Sequence, residues 1–187
     1  MTEEKKRQGR RDHLNDFYRD VSGNYVYTGV CYEHTGGVCA NTALLRRLRL
    51  MAAVMAAAVL AGGCISAPGV GRCFYVLLPY AAQIGVTGSV VWAVARWQVR
   101  EYPLRAYVYR ATVQALPGRC LAQAVLAGVG LAAETLYLLL SGSGGHGAAA
   151  AVYLLLQACV LVLALLARRT VLNSDWQPEG CGGLTTE

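Results

Sequence analysis

The chain has 187 residues, of which 55% are hydrophobic, and its mean hydropathy is +0.36. A chain of this length suits one compact unit, while a hydropathy this high is unusual for a soluble domain. The formal net charge of +6 is typical of nucleic-acid partners, but the positions of the arginines, described below, explain it without nucleic acid.

Four apolar stretches follow the first part of the chain, and each has the length of a membrane span. A transmembrane helix needs about 20 apolar residues to cross a hydrocarbon core about 30 Å thick. The predicted spans are residues 50–67, 73–95, 120–140 and 148–167. Short loops join the first pair and the last pair. The sequence therefore predicts an all-α polytopic membrane protein, with a transmembrane domain at 46–169 made of two helical hairpins.

Residues 1–45 form a polar tail of mixed charge, and we expect disorder in most of it. Segment 17–28 differs, because Gly23-Asn24 lies between aromatic and β-branched runs, as in a two-residue β-hairpin turn. A lone hairpin is only marginally stable in water. Two interpretations are open: a tail with transient strand character, or a small docking element. The docking residues would be Tyr25, Tyr27 and Tyr32.

An arginine-rich linker, residues 96–119, joins the two predicted hairpins. Leu104 and Tyr107 fall on one side of a helix and Arg105 on the other. This arrangement is typical of a short amphipathic helix that lies on the membrane surface. We expect Pro117 to end that helix.

The positions of lysine and arginine predict the orientation of the protein. Nine precede the first span, one lies in the first short loop, five lie in the linker, none lies in the second short loop, and two follow the fourth span. We therefore expect a cell-membrane protein with both termini and the linker in the cytoplasm. Residues 170–187 would be a short, unstructured cytoplasmic tail. The basic charge then belongs to the inner membrane face, with anionic lipid headgroups as candidate partners.

The third predicted span carries a single carboxylate, Glu134. Polar and small residues recur on its face of the helix, and branched aliphatic residues occupy the opposite face. The polar and small face comprises Gln123, Ala127, Gly130, Glu134, Tyr137 and Ser141. Because small and polar residues are typical of helix interfaces in membranes, we expect Glu134 to face the interior of the bundle.

Glu134 is also the centre of the candidate site, since an ionisable residue within a membrane is a functional-site hypothesis by default. Counting about 1.5 Å per helical residue predicts a hydrogen bond to Glu134 from Tyr80, Tyr153 or Gln157, with Arg72 as an alternative partner. The candidate polar site comprises Glu134, Tyr80, Tyr153, Gln157, Gln83 and Gln123. Two roles are open: a polar residue that fixes helix pairing, and a proton or ligand site in which desolvation favours the protonated carboxyl.

The seven cysteines raise the question of redox chemistry or metal binding. Cys64 and Cys73 flank the first short loop and are candidates for a disulfide if that side is oxidising. Free thiols are the alternative. Cys31, His34 and Cys39 supply three ligand types without an evident fourth, so neither a metal site nor a cofactor is predicted.

No sequence motif predicts an enzyme. HExxH, P-loop and GxSxG motifs are absent, so we expect no catalytic residues. The first functional hypothesis is a non-catalytic accessory or scaffold subunit, which contacts another membrane protein or forms a homo-oligomer. The alternative is a small proton-coupled transporter or channel-like protein centred on Glu134.

Overall fold

The computed structural model describes the chain in several segments. Side chains are described for residues 29–65, 67, 69–71, 73–99, 102–140 and 147–179, and the backbone alone for 17–19, 25–27, 141 and 180. Most of these residues are helical.

Four long helices form a closed ring: α1 (Gly37–Cys64), α2 (Phe74–Gln98), α4 (Leu116–Ser141) and α5 (Gly147–Leu172). The short helix α3 (Ala106–Tyr109) precedes α4, and a π-helical segment (Arg110–Gln114) connects the two. α1 packs against α2 and α5, and α4 packs against the same two helices. Every long helix therefore has two helical neighbours and one outward face.

Five short strands complete the described structure. They are β1 (Phe17–Arg19), β2 (Tyr25–Tyr27), β3 (Val30–His34), β4 (Leu104–Arg105) and β5 (Trp176–Gly180). β1 pairs with β2, and a separate antiparallel sheet has the order β4-β3-β5. The three-stranded sheet joins the chain before α1, before α3 and after α5 at one end of the bundle, which we call the sheet end. The opposite end, where α1 leads to α2 and α4 leads to α5, is the loop end.

The hydroxyl of Tyr102, two residues before β4, contacts the backbone of β3 in this sheet. It accepts a hydrogen bond from the backbone N–H of His34 at 2.9 Å. Partial burial raises the pKa of the Tyr102 hydroxyl above its ordinary value, because desolvation disfavours the charged phenolate. The contact is thus made by a neutral phenol.

Three helices in the described chain are long and apolar enough to cross a membrane. They are Phe74–Gln98, Ala106–Leu140 and Gly147–Leu172. α1 is not among them, and its uninterrupted apolar part, Leu50–Cys64, is shorter than the about 20 residues that a span needs. Three of the predicted spans thus correspond to helices with the length and composition of membrane spans.

α1 begins well before the span predicted at residues 50–67, within the segment that was expected to be a polar tail. Its buried side chains include Asn41, Leu44, Leu48, Ala52, Met55 and Val59. Steps of three and four residues place these on one helical face, and the face continues unbroken through the arginines. Arg46, Arg47 and Arg49 lie exposed on the other side. The apolar stripe, rather than overall hydropathy, marks where this helix starts.

The predicted separate amphipathic helix in the linker is wrong. Leu104 and Arg105 form β4, and the helical chain that follows runs through the π-helical segment into α4. Pro117 lies in the first turn of α4 instead of ending a helix. Proline is tolerated there because the first N–H groups of a helix have no partner within it.

The C-terminal residues 170–187 are also more ordered than expected in the part that the structure describes. α5 continues to Leu172, where Val171 is buried, and β5 pairs with β3 along its whole length. Neither strand has a strong sequence pattern of its own, and each is stabilised by pairing with the other. A pairing between the two ends of a chain is invisible to a local reading of sequence.

An aromatic cluster attaches the sheet to the helices. It consists of Tyr32, His34, Trp97, Tyr109 and Trp176. The ring of Trp176 lies 5.6 Å from that of Trp97, 5.5 Å from Tyr109 and 5.3 Å from His34, measured between centroids. Tyr32 stacks on Tyr109 at 4.1 Å with an interplanar angle of 7°. The cluster therefore joins β3, β5, α2 and α3.

The β1–β2 pair has a different turn from the one predicted. A two-residue turn at Gly23-Asn24 would place Ser22 opposite Tyr25, whereas Arg19 is the residue opposite Tyr25. This register contradicts a two-residue turn at Gly23-Asn24, and residues 20–24 themselves lie outside the described part of the chain.

Trp176→Ala is expected to lower the free energy of unfolding by about 2–4 kcal/mol, because three ring contacts worth about 0.5–1.5 kcal/mol each are lost. Thermal unfolding in mild detergent would measure the change. Trp92→Ala is the control, since Trp92 is exposed and has Arg96 over its ring at 5.2 Å. Equal losses in both variants would contradict the structural role of the cluster.

Candidate functional site

The bundle has apolar outer faces and an apolar core, and the core contains a small group of buried polar side chains. The buried polar side chains within its helices include Gln83, Thr87, Gln123, Glu134 and Gln157. The large exposed side chains include Leu78, Leu139 and Leu155. A water-soluble bundle has the reverse distribution, since water favours polar groups on the surface. Apolar outer faces around a small polar interior are typical of helices packed in lipid.

Two glutamines connect α2 to α5 in the middle of the bundle. Gln83 Nε2 donates a hydrogen bond to Gln157 Oε1 at 2.9 Å, and Gln157 Nε2 donates to Gln83 Oε1 at 3.0 Å. Gln157 Nε2 also donates to the hydroxyl of Tyr153 at 2.9 Å, one helical turn away. Gly130 on α4 lies beside this pair, since a Cβ built there would be 3.6 Å from Gln157 Nε2, an ordinary van der Waals distance.

The same contacts extend to α4 on the side of the pair that is nearer the sheet end. Thr87 Oγ1 donates to the backbone oxygen of Gln83 at 2.7 Å, and Gln123 Nε2 donates to Thr87 Oγ1 at 2.8 Å. Tyr153, Gln157, Gln83, Thr87 and Gln123 together form what we call the polar network. It links α2, α4 and α5 by side-chain hydrogen bonds.

Glu134 lies on α4 toward the loop end, and its side chain is fully buried. Its Oε1 accepts a hydrogen bond from the backbone N–H of Gly69 at 3.3 Å. Its Oε2 is buried and has no hydrogen-bond partner among the described residues. Glu134 therefore faces inward and is held by the connection between α1 and α2.

That connection makes a tight turn at residues 69–71, which we call the Gly69 turn. The backbone N–H of Cys73 donates to the oxygen of Gly69 at 3.0 Å and closes it. A Cβ built on Gly69 would collide with Glu134 Oε2 and lie 3.2 Å from Val76. Glycine is thus required for the backbone to lie directly against the carboxyl group.

The predicted hydrogen bond from Tyr80, Tyr153 or Gln157 to Glu134 is wrong. The hydroxyl of Tyr80 donates instead to the backbone oxygen of Val59 on α1 at 2.9 Å. The amide of Gln157 is occupied by Gln83 and Tyr153. The partners of these residues depend on helix rotation, which a count of depth along the helices does not give.

The structure places all six residues of the predicted polar site in the interior, and it divides them between two sets of contacts. Gln83, Gln123, Gln157 and Tyr153 belong to the polar network. Glu134 and Tyr80 bind to α1 or to the turn that follows it. Two further residues were missed: Thr87, which lies one turn after Gln83 on the same face, and Gly69, whose position in a short loop after Pro68 was the available signal.

Of the two alternatives for Cys64 and Cys73, the structure has the free thiols and not the disulfide. Cys31, in contrast, is disulfide-bonded, and the Nδ1 of His34 accepts a hydrogen bond from the N–H of Gly36 at 3.0 Å. Within the described residues, no three His, Cys, Asp or Glu side chains form a group that could hold a metal ion.

Of the three predicted docking tyrosines, Tyr32 stacks on Tyr109 within the chain. That ring is therefore used to attach the sheet to the bundle. The side chains of Tyr25 and Tyr27 lie outside the described residues, as does Arg72, the predicted alternative partner of Glu134.

No protein-family model matches the chain, and no curated protein or solved structure matches it. The site consists of one buried acid with an oxygen atom that has no hydrogen-bond partner, an adjoining glycine turn, and a hydrogen-bonded network of amides and hydroxyls.

Gln83→Leu is expected to lower the free energy of unfolding by roughly 0.6–2 kcal/mol, the usual range for a hydrogen bond between membrane helices. Gln83→Leu with Gln157→Leu should cost less than the sum of the single losses, because removing both partners leaves no unsatisfied amide. Denaturant titration in mixed micelles would measure both. Strictly additive losses would show that the two amides are not coupled.

Proposed function

We propose that this chain is a multi-pass protein of the cell membrane with four spans, arranged as two hairpins. Three helices have the required length and composition, and α1 packs beside two of them as the fourth member of the ring. The arginines whose side chains the structure describes lie in the linker or toward the sheet end of the helices. By the positive-inside rule, this supports a cytoplasmic sheet end, with both termini and a surface for anionic lipid headgroups.

We further propose that it acts as a non-catalytic accessory or scaffold subunit. The observation that carries this proposal is a stripe of small residues on the outward face of α2: Ala81, Gly85 and Gly88 are all exposed. A Cβ on either glycine would meet no atom within 4 Å. Small residues on a lipid-facing stripe allow the backbone of another helix to approach closely. The partner would be another membrane protein or a second copy of this chain.

The polar network supports the same proposal. Each of its members bonds another group of the chain, so it stabilises one arrangement of the helices. A fixed bundle with a small-residue outer stripe is suited to assembly.

Gly85→Leu with Gly88→Leu is expected to abolish co-purification of the partner, or to convert a dimer to a monomer, because the leucines keep the partner helix at a distance. Native mass spectrometry in mild detergent would identify and weigh the assembly. Gly128→Leu on α4 is the matched control, since a Cβ at Gly128 also meets no atom within 4 Å. An assembly that survives the double substitution would contradict the role of the α2 stripe.

The second candidate is a small proton-coupled transporter or channel-like protein centred on Glu134. Its support is the buried Oε2 atom that lacks a hydrogen-bond partner in the described chain. A structural residue would ordinarily have its acceptors satisfied, and an acid within a membrane is typical of proton pathways.

For this candidate, Glu134→Gln is expected to abolish proton flux into liposomes while leaving the protein folded, because glutamine keeps the shape but does not exchange a proton at neutral pH. A pH-sensitive dye inside the liposomes would report the flux. Glu33→Gln on β3 is the control and should retain it. Equal flux in the wild type and Glu134→Gln would contradict transport through this residue.

A further inference from the structure

The contact between Glu134 and the Gly69 turn is incompletely satisfied in either protonation state. The ionised carboxylate would be buried with one hydrogen bond, from the Gly69 N–H, to offset its charge. The protonated carboxyl would have no acceptor for its Oε2–H among the described groups. The first state is much the less favourable, because burying a charge costs more than burying a neutral polar group.

The described titratable groups near Glu134 are tyrosines and cysteines. Tyr75 on α2 and Tyr153 on α5 interact with Glu134 itself. Cys73 and Tyr137 lie near Tyr75, Tyr80 lies near Tyr153, and Cys64 lies near Tyr80. Tyrosine and cysteine are neutral at neutral pH, so no described neighbour supplies a cation. Arg72 lies outside the described residues.

We propose that Glu134 and the Gly69 turn form a proton-binding site that opens to the aqueous phase at the loop end. Proton binding converts the carboxylate to the carboxylic acid and lets the turn close over it. Loss of the proton leaves a charge that must be hydrated, so the turn opens. This inference rests on the second candidate function, since it assigns the ligand and the access route of the same acid.

The geometry favours a proton over a larger ligand. Glu134 Oε2 occupies the position where a side chain on Gly69 would begin, and Val76 lies against the same point. A bound metal ion or organic cation needs space for its own radius beside the carboxylate. In the closed arrangement, the backbone of Gly69 and the side chain of Val76 fill that space, whereas a proton adds no heavy atom.

Closure and proton binding must then be linked. If closing the turn favours the protonated form of Glu134, then protonating Glu134 must favour the closed turn by the same free energy. The position of the turn is therefore expected to depend on pH in the wild type. It should not depend on pH when residue 134 is permanently neutral.

Hydrogen–deuterium exchange of the full chain in lipid nanodiscs tests this. The quantity measured is the exchange rate of the peptide covering residues 65–73, expressed as the ratio of wild type to Glu134→Gln at each pH. Taking this ratio cancels the intrinsic pH dependence of amide exchange. We expect a ratio near one in acid. It should rise at higher pH, where loss of the proton from wild-type Glu134 opens the turn.

Glu33→Gln is the matched control and should give the wild-type profile. A ratio that stays constant over the whole pH range would overturn the proposal. A ratio that responds to sodium chloride at constant pH would also overturn it, because the ligand would then be a metal cation. Transport is judged separately. A pH-dependent ratio without proton flux would support the proton-binding site and contradict the transporter. A constant ratio, with proton flux that is lost in Glu134→Gln, would support the transporter and contradict the proposed site.

Discussion

The hydrogen bonds among Gln83, Gln157 and Tyr153 lie between helices whose outer faces are apolar. Within a bilayer there is no water to satisfy a side-chain amide, so each one must find a partner inside the protein. Such a bond adds on average only about 0.6 kcal/mol to stability, whereas an unsatisfied polar group costs several times more. The network therefore determines which rotation and register of α2, α4 and α5 is acceptable, more than it adds to overall stability.

That register brings Glu134 to the Gly69 turn. Gln123 and Thr87 fix α4 to α2. Because Glu134 lies on the same face of α4, nearer the loop end, it must face the interior, where the α1–α2 connection covers it. The scaffold and proton-site proposals use different surfaces of the same bundle. The first depends on the outward stripe of α2, and the second on the interior at the loop end, so the two functions are compatible.

Periodicity predicted that Glu134 faces inward, and depth predicted that the tyrosines and glutamines share its level. Neither could predict that a loop residue, Gly69, would be its partner, because loops have no periodicity. The start of α1 was missed because arginines mask the stripe formed by Leu44 and Leu48 in a hydropathy reading. β5 was missed because its pairing with β3 is a contact between distant parts of the sequence.

The two ends of the bundle differ in chemistry. Disulfide-bonded Cys31 lies at the sheet end, and disulfides persist in oxidising compartments. The arginines favour a cytoplasmic location for the same end. These two observations favour opposite orientations, and the orientation proposed above rests on the arginines.

The central claim is that lipid is the solvent of the outer faces, while a small group of polar side chains is buried in the otherwise apolar interior. Photolabelling with a diazirine-bearing lipid, followed by mass spectrometric mapping, tests this most directly in the intact protein. Carbene insertion is expected at the exposed Leu78, Leu139 and Leu155, and not at the buried Ala127 or Gln157. Labelling of the buried pair, or absence of labelling at the three leucines, would contradict the account.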